Sequence, residues 1–231
     1  MHMAKDNLSK INKNLVLPPR QKIVTAVLFT VSIVLMSTGL LQILDMRKVT
    51  TGKPKLPLAN DIITSDIKEP DETKPVINEY VVPADQPRNI IIDSIGVNGL
   101  IQKIGLNKDN SISVPSNINF AGWFIQSVKP GDEGLSILDG HVSGRYSDGV
   151  FKNLINVKVG DILQIEYGDK RIKKFEVVES KTLPEKDSAP FLLKKRDDIK
   201  SQLNLITCGG LFDKSSQTFN DRIIVVAKLL N

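Results

Sequence analysis

Apolar residues are arranged in two ways along this chain. From Ile23 to Leu44 they form one continuous run, IVTAVLFTVSIVLMSTGLLQIL, uncharged and with Gln42 as its strongly polar exception. As a helix, that run spans about 33 Å, enough to cross a hydrocarbon core of ~30 Å. From Asn89 onward the apolar runs are short and punctuated. They predict strands near Ile90–Ile95, Leu100–Ile104, Ile112–Val114, Leu135–Gly140, Ile162–Tyr167, Ile172–Glu179, Leu203–Cys208 and Ile223–Leu229. Within them Leu163, Ile165 and Tyr167 form one face and Gln164 and Glu166 the other, while Phe175 and Val177 alternate with charged residues. Gly168-Asp169 reads as a hairpin turn. No long amphipathic helix interrupts the series, and Val150 to Ile155 reads as a single turn. Eight short strands predict an all-β closed barrel or sandwich, since closure removes exposed edges.

Between these regions, Asp45 to Pro87 keeps neither a helical nor a strand period. Pro54, Pro57, Pro70, Pro75, Pro83 and Pro87 punctuate it, and its charges are mixed, so it reads as an extended tether. Val76 to Val82, VINEYVV, is apolar enough to lie against the folded domain. The expected organisation is a tail over 1–22, a membrane anchor over 23–44, a Pro-rich linker over 45–87 and a folded domain over 88–231. The anchor is read as uncleaved, because its apolar run exceeds a signal peptide's and no small-x-small site follows Leu44. Lys5, Lys10, Lys13, Arg20 and Lys22 precede the span, against Arg47, Lys48, Lys53 and Lys55 after it. That slight excess votes for a cytoplasmic N-terminus and an extracellular domain.

Composition removes several classes of function. The formal charge of the 231-residue chain is +5, and residues 87–231 carry 20 Lys/Arg against 17 Asp/Glu, so no nucleic-acid footprint stands out. One cysteine forms no internal disulfide and builds no thiolate zinc site. The folded domain holds one histidine, which leaves a metal without ligands.

Chemistry concentrates at two strand ends. In QLNLITCGGLFDKSSQTFNDRIIVV, Gln202 to Val226, a strand is expected to end at Cys208, with Gly209 and Gly210 giving a sharp turn that leaves the sulfur accessible. Arg222 opens the following run. If the two strands pair, a thiol faces a guanidinium, which favours the thiolate and can hold an oxyanion. In LSILDGHVSG, Leu135 to Gly144, the apolar strand runs into His141, whose ordinary pKa suits proton transfer. Alone, each of the three is more often a core thiol, a surface charge or a satisfied imidazole. Together they make a workable nucleophile, acid/base and anion stabiliser.

The L-x-G-H before one strand end, the I-T-C-G-G at the other and the closing D-R-I-I-V-V-A strand resemble the sortases, cysteine transpeptidases of the Gram-positive cell envelope. The resemblance runs from about Arg88 to Leu230. The T-C-G-G-x-F-D segment from Thr207 to Asp213, with Gly122-Trp123, looks most like the single-domain class E/F type. The Asp-Pro of the pilin-polymerising lid is missing from this sequence. The resemblance implies an eight-stranded sortase-like β-barrel with short helical turns, preceded by one N-terminal transmembrane helix. It implies Cys208 as nucleophile, His141 as general acid/base, Arg222 as anion stabiliser, and a backbone N–H near Gly209 at the oxyanion. It also implies secreted partners with a C-terminal LPxTG-like signal, cleaved after Thr, and a peptidoglycan peptide amine as acceptor, with no cofactor.

Ser180 to Ser201 is long for a hairpin loop. In this family the corresponding loop shapes the pocket for the signal, so Leu183, Pro184, Ala189, Pro190, Phe191 and Leu192, with Thr207, are the pocket candidates. Glu185 and Asp187, with Asp132 and Glu133, stand where some members bind calcium, but acidic loop residues are usually just solvated and no metal is assigned. Two rival readings remain: a hydrolytic cysteine peptidase using the same three residues, and a non-catalytic surface binding module in which Cys208 is buried and unreactive.

Overall fold

Alternation fixes an inside and an outside for nearly every strand, and the sheet closes around the inside. The structure, a computed structural model, describes residues 61–64, 69–215 and 218–230. Its strands are β1 (Ile62–Ile63), β2 (Pro87–Ile92), β3 (Val97–Ile104), β4 (Phe120–Phe124), β5 (Gly134–Gly140), β6 (Ile162–Tyr167), β7 (Ile172–Pro184), β8 (Ser201–Asp213) and β9 (Thr218–Leu229). They pair in the order β1-β3-β2-β6-β7-β9-β8-β5-β4, and a β3–β4 pairing closes β2 to β9 into an eight-stranded barrel. β3–β4 and β5–β8 run parallel. One helix, α1 (Glu185–Leu192), and 3-10 turns at Ile77–Glu79, Asp93–Ile95 and Leu154–Asn156 complete the described elements.

The barrel is filled from alternate positions. Leu163, Ile165 and Tyr167 of β6, Phe175 and Val177 of β7, Leu203 and Leu205 of β8, and Ile223, Val225 and Ala227 of β9 share one buried cluster. The intervening residues of β8 and β9 are also buried, but in a second cluster: Ile206 and Ile224 meet Ile137, Ile104, Phe124 and Leu192 on the outer face. Strands covered on both sides lose the polar half of their alternation, which is why Gln202 to Thr207 is buried throughout.

Several expectations change here. Ile112–Val114 is not a strand: Ile112 makes an isolated bridge to Leu106, and the segment is held by its polar side chains, Ser113 Oγ donating to Asn107 Oδ1 at 2.6 Å. The strand lies instead at β4, whose five residues are all buried and therefore show no period. The long loop after Glu179 is mostly ordered structure, because β7 runs on to Pro184 and α1 follows directly. β9 lies between β7 and β8, so that segment crosses over a strand rather than closing a hairpin.

The expected anchor at Ile23–Leu44 lies outside the described residues; among those described, no helix is long and apolar enough to cross a membrane. The later part of the expected linker packs on the barrel. Ile62 and Ile63 pair with Lys103 and Ile104, and Asp71 bridges to Asn117. Tyr80 and Val82 are buried beside Leu100 and Phe120, as the VINEYVV stretch suggested. Tyr80 donates to the Ile101 carbonyl at 2.7 Å, and Arg88 reaches back to the Tyr80 and Ile77 carbonyls at 3.0 and 2.6 Å. Hydropathy periods miss such a segment because its ties are mostly polar and backbone bonds.

Candidate functional site

Strands β9, β8 and β5 lie side by side, and the three sequence candidates fall at one level across them. Cys208 and Arg222 are direct partners in the antiparallel β8–β9 ladder. β5 runs parallel to β8 with Asp139 opposite Ile206, so His141, two residues on, continues towards the level of Cys208. The Thr207 hydroxyl donates to the Gly140 carbonyl at 2.7 Å and ties the two strand ends together. Alternation sets the facing. Leu205 and Ile223 point into the barrel, whereas Ile206 and Ile224 point out, so Cys208 and Arg222 share the outer face with that apolar cluster.

β8 does not end at the thiol, as the glycine pair suggested. It continues to Asp213 through a bulge between Gly209 and Phe212. Gly210 takes the left-handed conformation at φ 74°, and a side chain there would collide with the Asp221 carboxylate. The bulge leaves Cys208 partly exposed at the top of a strand otherwise buried from Ser201 to Thr207. Gly209 itself is buried opposite Asp221.

Arg222 is held in place by its own backbone. Nη1 donates to the Phe219 and Asp221 carbonyls at 2.8 and 2.9 Å, and Nη2 pairs with the Glu185 carboxylate at the first turn of α1. His141 Nε2 lies 2.7 Å from the Pro115 carbonyl. A carbonyl only accepts, so Nε2 carries the proton and Nδ1 is the nitrogen left for chemistry.

Burial pushes the Cys208 thiol above its ordinary pKa; Arg222 opposes this, while Asp139 and Glu185 add to it. Burial also lowers the His141 imidazole, partly countered by the Pro115 carbonyl. The resting pair at neutral pH is therefore thiol and neutral imidazole. Asp139 is the residue that sequence reasoning missed. It faces outward among isoleucines, and burial raises its carboxyl to about 7 against the pull of Arg222. The signal was present in LSILDG, where a charge occupies a position that the alternation assigns to an apolar face.

The pocket candidates separate. Leu192 belongs to the outer apolar cluster, with Leu183 and Phe191 packed against it. Pro184, Ala189 and Pro190 are exposed. Thr207 is 1% exposed and its hydroxyl donates to the Gly140 carbonyl, so its side chain braces the strand ends. Among the acidic loop residues, Asp132 pairs with Lys173 and Glu133 with Lys200, each at 3.4 Å, and Glu185 is held by Arg222. Among the described residues no three His, Cys, Asp or Glu converge as metal ligands.

The model of the sortase domain matches residues 90–230. The chain belongs to the sortase family. Sortases are cysteine transpeptidases, and Cys208 is the cysteine available here. Solved structures with a similar fold include sortase C-1 from Actinomyces oris, at 21% identity over 64% of this chain and 76% of that one, with a TM-score of 0.47. Sortase A from Corynebacterium diphtheriae (lid mutant) matches at 21% over 67% and 74%, TM-score 0.49. A Clostridium perfringens sortase D5 transpeptidase matches at 27% over 67% and 84%, TM-score 0.46. No curated protein matches the chain.

Proposed function

We propose that this sortase is a membrane-anchored enzyme that cleaves an LPxTG-like sorting signal after Thr and joins the acyl group to a cell-wall amine. The observation that carries the site assignment is the register: Cys208 directly opposite Arg222, with His141 continuing the strand on the other side. The Cys208 thiolate attacks the Thr carbonyl carbon, and its oxygen takes up the electron pair. Arg222, with a backbone N–H near Gly209, stabilises that oxyanion. The C–N bond breaks, and the His141 imidazolium gives the proton on Nδ1 to the departing glycine amine. An incoming peptidoglycan amine then attacks the thioester, loses a proton to the neutral imidazole and leaves as the new amide, returning the thiolate and the imidazolium. Two acyl transfers of similar energy need no external energy source.

The outer apolar cluster, with Leu183 near the end of β7 and Phe191 and Leu192 on α1, offers a surface for the Leu-Pro part of the signal. The apolar run at Ile23–Leu44 supports a single-pass anchor with a cytoplasmic N-terminus and an extracellular catalytic domain. The T-C-G-G-x-F-D segment and the Gly122-Trp123 pair support placement with the single-domain class E/F enzymes. The test is product analysis with a signal peptide and an added oligoglycine amine. Ligated product supports the reading. Hydrolysis alone, with the amine in excess, replaces it by a peptidase, and an unreacted peptide with an unreactive thiol replaces it by a binding module.

A further inference from the structure

Residues before the matched domain reach the site from two sides. On one side, Asp71 joins the loop that holds the His141 ring: its N–H donates to Ser116 O at 2.8 Å and its carbonyl accepts from Ile118 N at 2.9 Å. Thr73 O adds bonds from the Asn117 and Asn119 side chains at 2.9 and 3.2 Å. Pro115, which accepts the His141 Nε2 proton, is next to Ser116. On the other side, Glu72 caps the loop that leaves His141. Its Oε1 accepts from the Arg145 N–H, and its Oε2 accepts from Tyr146 N at 3.1 Å and Ser147 Oγ at 2.6 Å. Those bonds hold the Glu72 carboxyl below its ordinary range, the Ser147 hydroxyl contributing most. The approach is so close that a side chain on Gly144 would lie 2.5 Å from Glu72 Oε1. The loop is short and closes on the histidine: Gly149 N donates to Val142 O, and Phe151 N donates to His141 O.

We propose that residues 69–73 are a positioning strap for His141, with Glu72 as its positioning residue, so that the catalytic unit begins ahead of the matched sortase domain. These hydrogen bonds of the strap run to residues 116–119 and 145–147 rather than to Cys208 or Arg222. It fixes the chain on both sides of the imidazole, one arm behind the ring and one on the loop that follows it. The proposal rests on His141 being the acid/base. A merely structural strap would change stability and leave the imidazole where it is. A positioning strap sets the ring's burial, which is what depresses its pKa.

The experiment compares full-length wild type, Glu72→Ala, Glu72→Gln and Gly144→Ala by two readouts: imidazole NMR titration and steady-state transpeptidation. Glu72→Ala and Gly144→Ala are expected to raise the His141 titration towards its ordinary 6.5, because a loosened ring gains solvent. They are expected to lower kcat by about tenfold or more, with KM within about twofold, since small misplacements of a reacting group cost up to ~10²-fold. Glu72→Gln keeps a carbonyl oxygen for the Arg145 and Tyr146 N–H groups and is expected to recover part of both. An unmoved titration or an unchanged kcat in Glu72→Ala overturns the proposal, whatever happens to the melting temperature. A wild type inert towards the peptide counts against the sorting-signal reading instead, and the titration, which needs no substrate, then decides on the strap.

Discussion

At the residue scale, the site places three ionisable groups where burial works against charge. The proposed mechanism needs thiolate and imidazolium, yet burial raises the Cys208 pKa and lowers that of His141. The productive form is thus a minority at every pH. The kcat/KM profile is expected to be a bell whose acid limb follows His141 and whose alkaline limb follows Cys208. Asp139 tunes this balance. Ionised, it adds negative charge beside the thiol, so Asp139→Asn is expected to lower the pH midpoint for Cys208 alkylation; an unchanged midpoint removes Asp139 from the electrostatics. The same substitution has a stability signature. The folded-state pKa of Asp139, about 7, exceeds its ordinary value, so the folded state holds that proton more tightly than the unfolded chain. That contribution is full below the ordinary carboxylate pKa and is lost as pH rises through about 7. Asp139→Asn is therefore expected to gain in Tm relative to wild type at pH 8, with the gain shrinking towards pH 4; a gain independent of pH contradicts the assignment. Arg222→Ala is expected to lower kcat by ~10²–10³, the usual loss for an oxyanion donor, with KM little changed. Arg222→Lys is expected to recover only part, lacking the fork that bonds both backbone carbonyls and Glu185.

At the element scale, α1 covers part of the outer barrel face, where its Leu192 and Phe191 join Ile206 and Ile224. Its C-terminal end is tied to β8 by Asn204, whose Nδ2 donates to the Leu192 carbonyl at 2.7 Å in a buried setting. Asn204→Ala leaves that carbonyl unpaired, which is expected to cost about 1–3 kcal/mol in urea unfolding. Release of Leu192 and Phe191 from that face is expected to raise KM for the signal peptide more than it lowers kcat. What the sequence made legible follows from the same physics. Half-buried strands such as β6 and β7 announced themselves through alternation, and the Cys208–Arg222 pairing followed from two apolar runs flanking a polar loop. β4 did not, because Phe120 to Phe124 is buried on both faces and carries no period. α1 did not, because an eight-residue helix with Pro190 inside it has no propensity signal to offer. The contacts of Asp71 and Glu72 were illegible for another reason: they join residues more than forty positions apart, with a backbone group on at least one side of each bond to Ser116, Ile118 and Arg145.

At the scale of the whole molecule, a barrel of eight strands holds three side chains from neighbouring strands on one outer level, and the chain ahead of it pairs with that barrel at Ile62–Ile63 and lies on it again from residue 69 on. The anchor proposed at Ile23–Leu44 would then be joined to the catalytic unit by a tether shorter than the proline pattern suggests. External protease on intact protoplasts is expected to cut before residue 69 and to spare the stretch from Asp71 to Pro87; protection of the domain until the membrane is broken contradicts the orientation. The most direct test of the site is the covalent intermediate. Wild type mixed with an LPxTG-like peptide, acid-quenched and digested, is expected to carry the peptide, cut after Thr, as a thioester on Cys208. Cys208→Ala is expected to carry none and to form no ligated product. Ligation that persists in Cys208→Ala, or turnover by wild type with no acyl group ever found on Cys208, contradicts it.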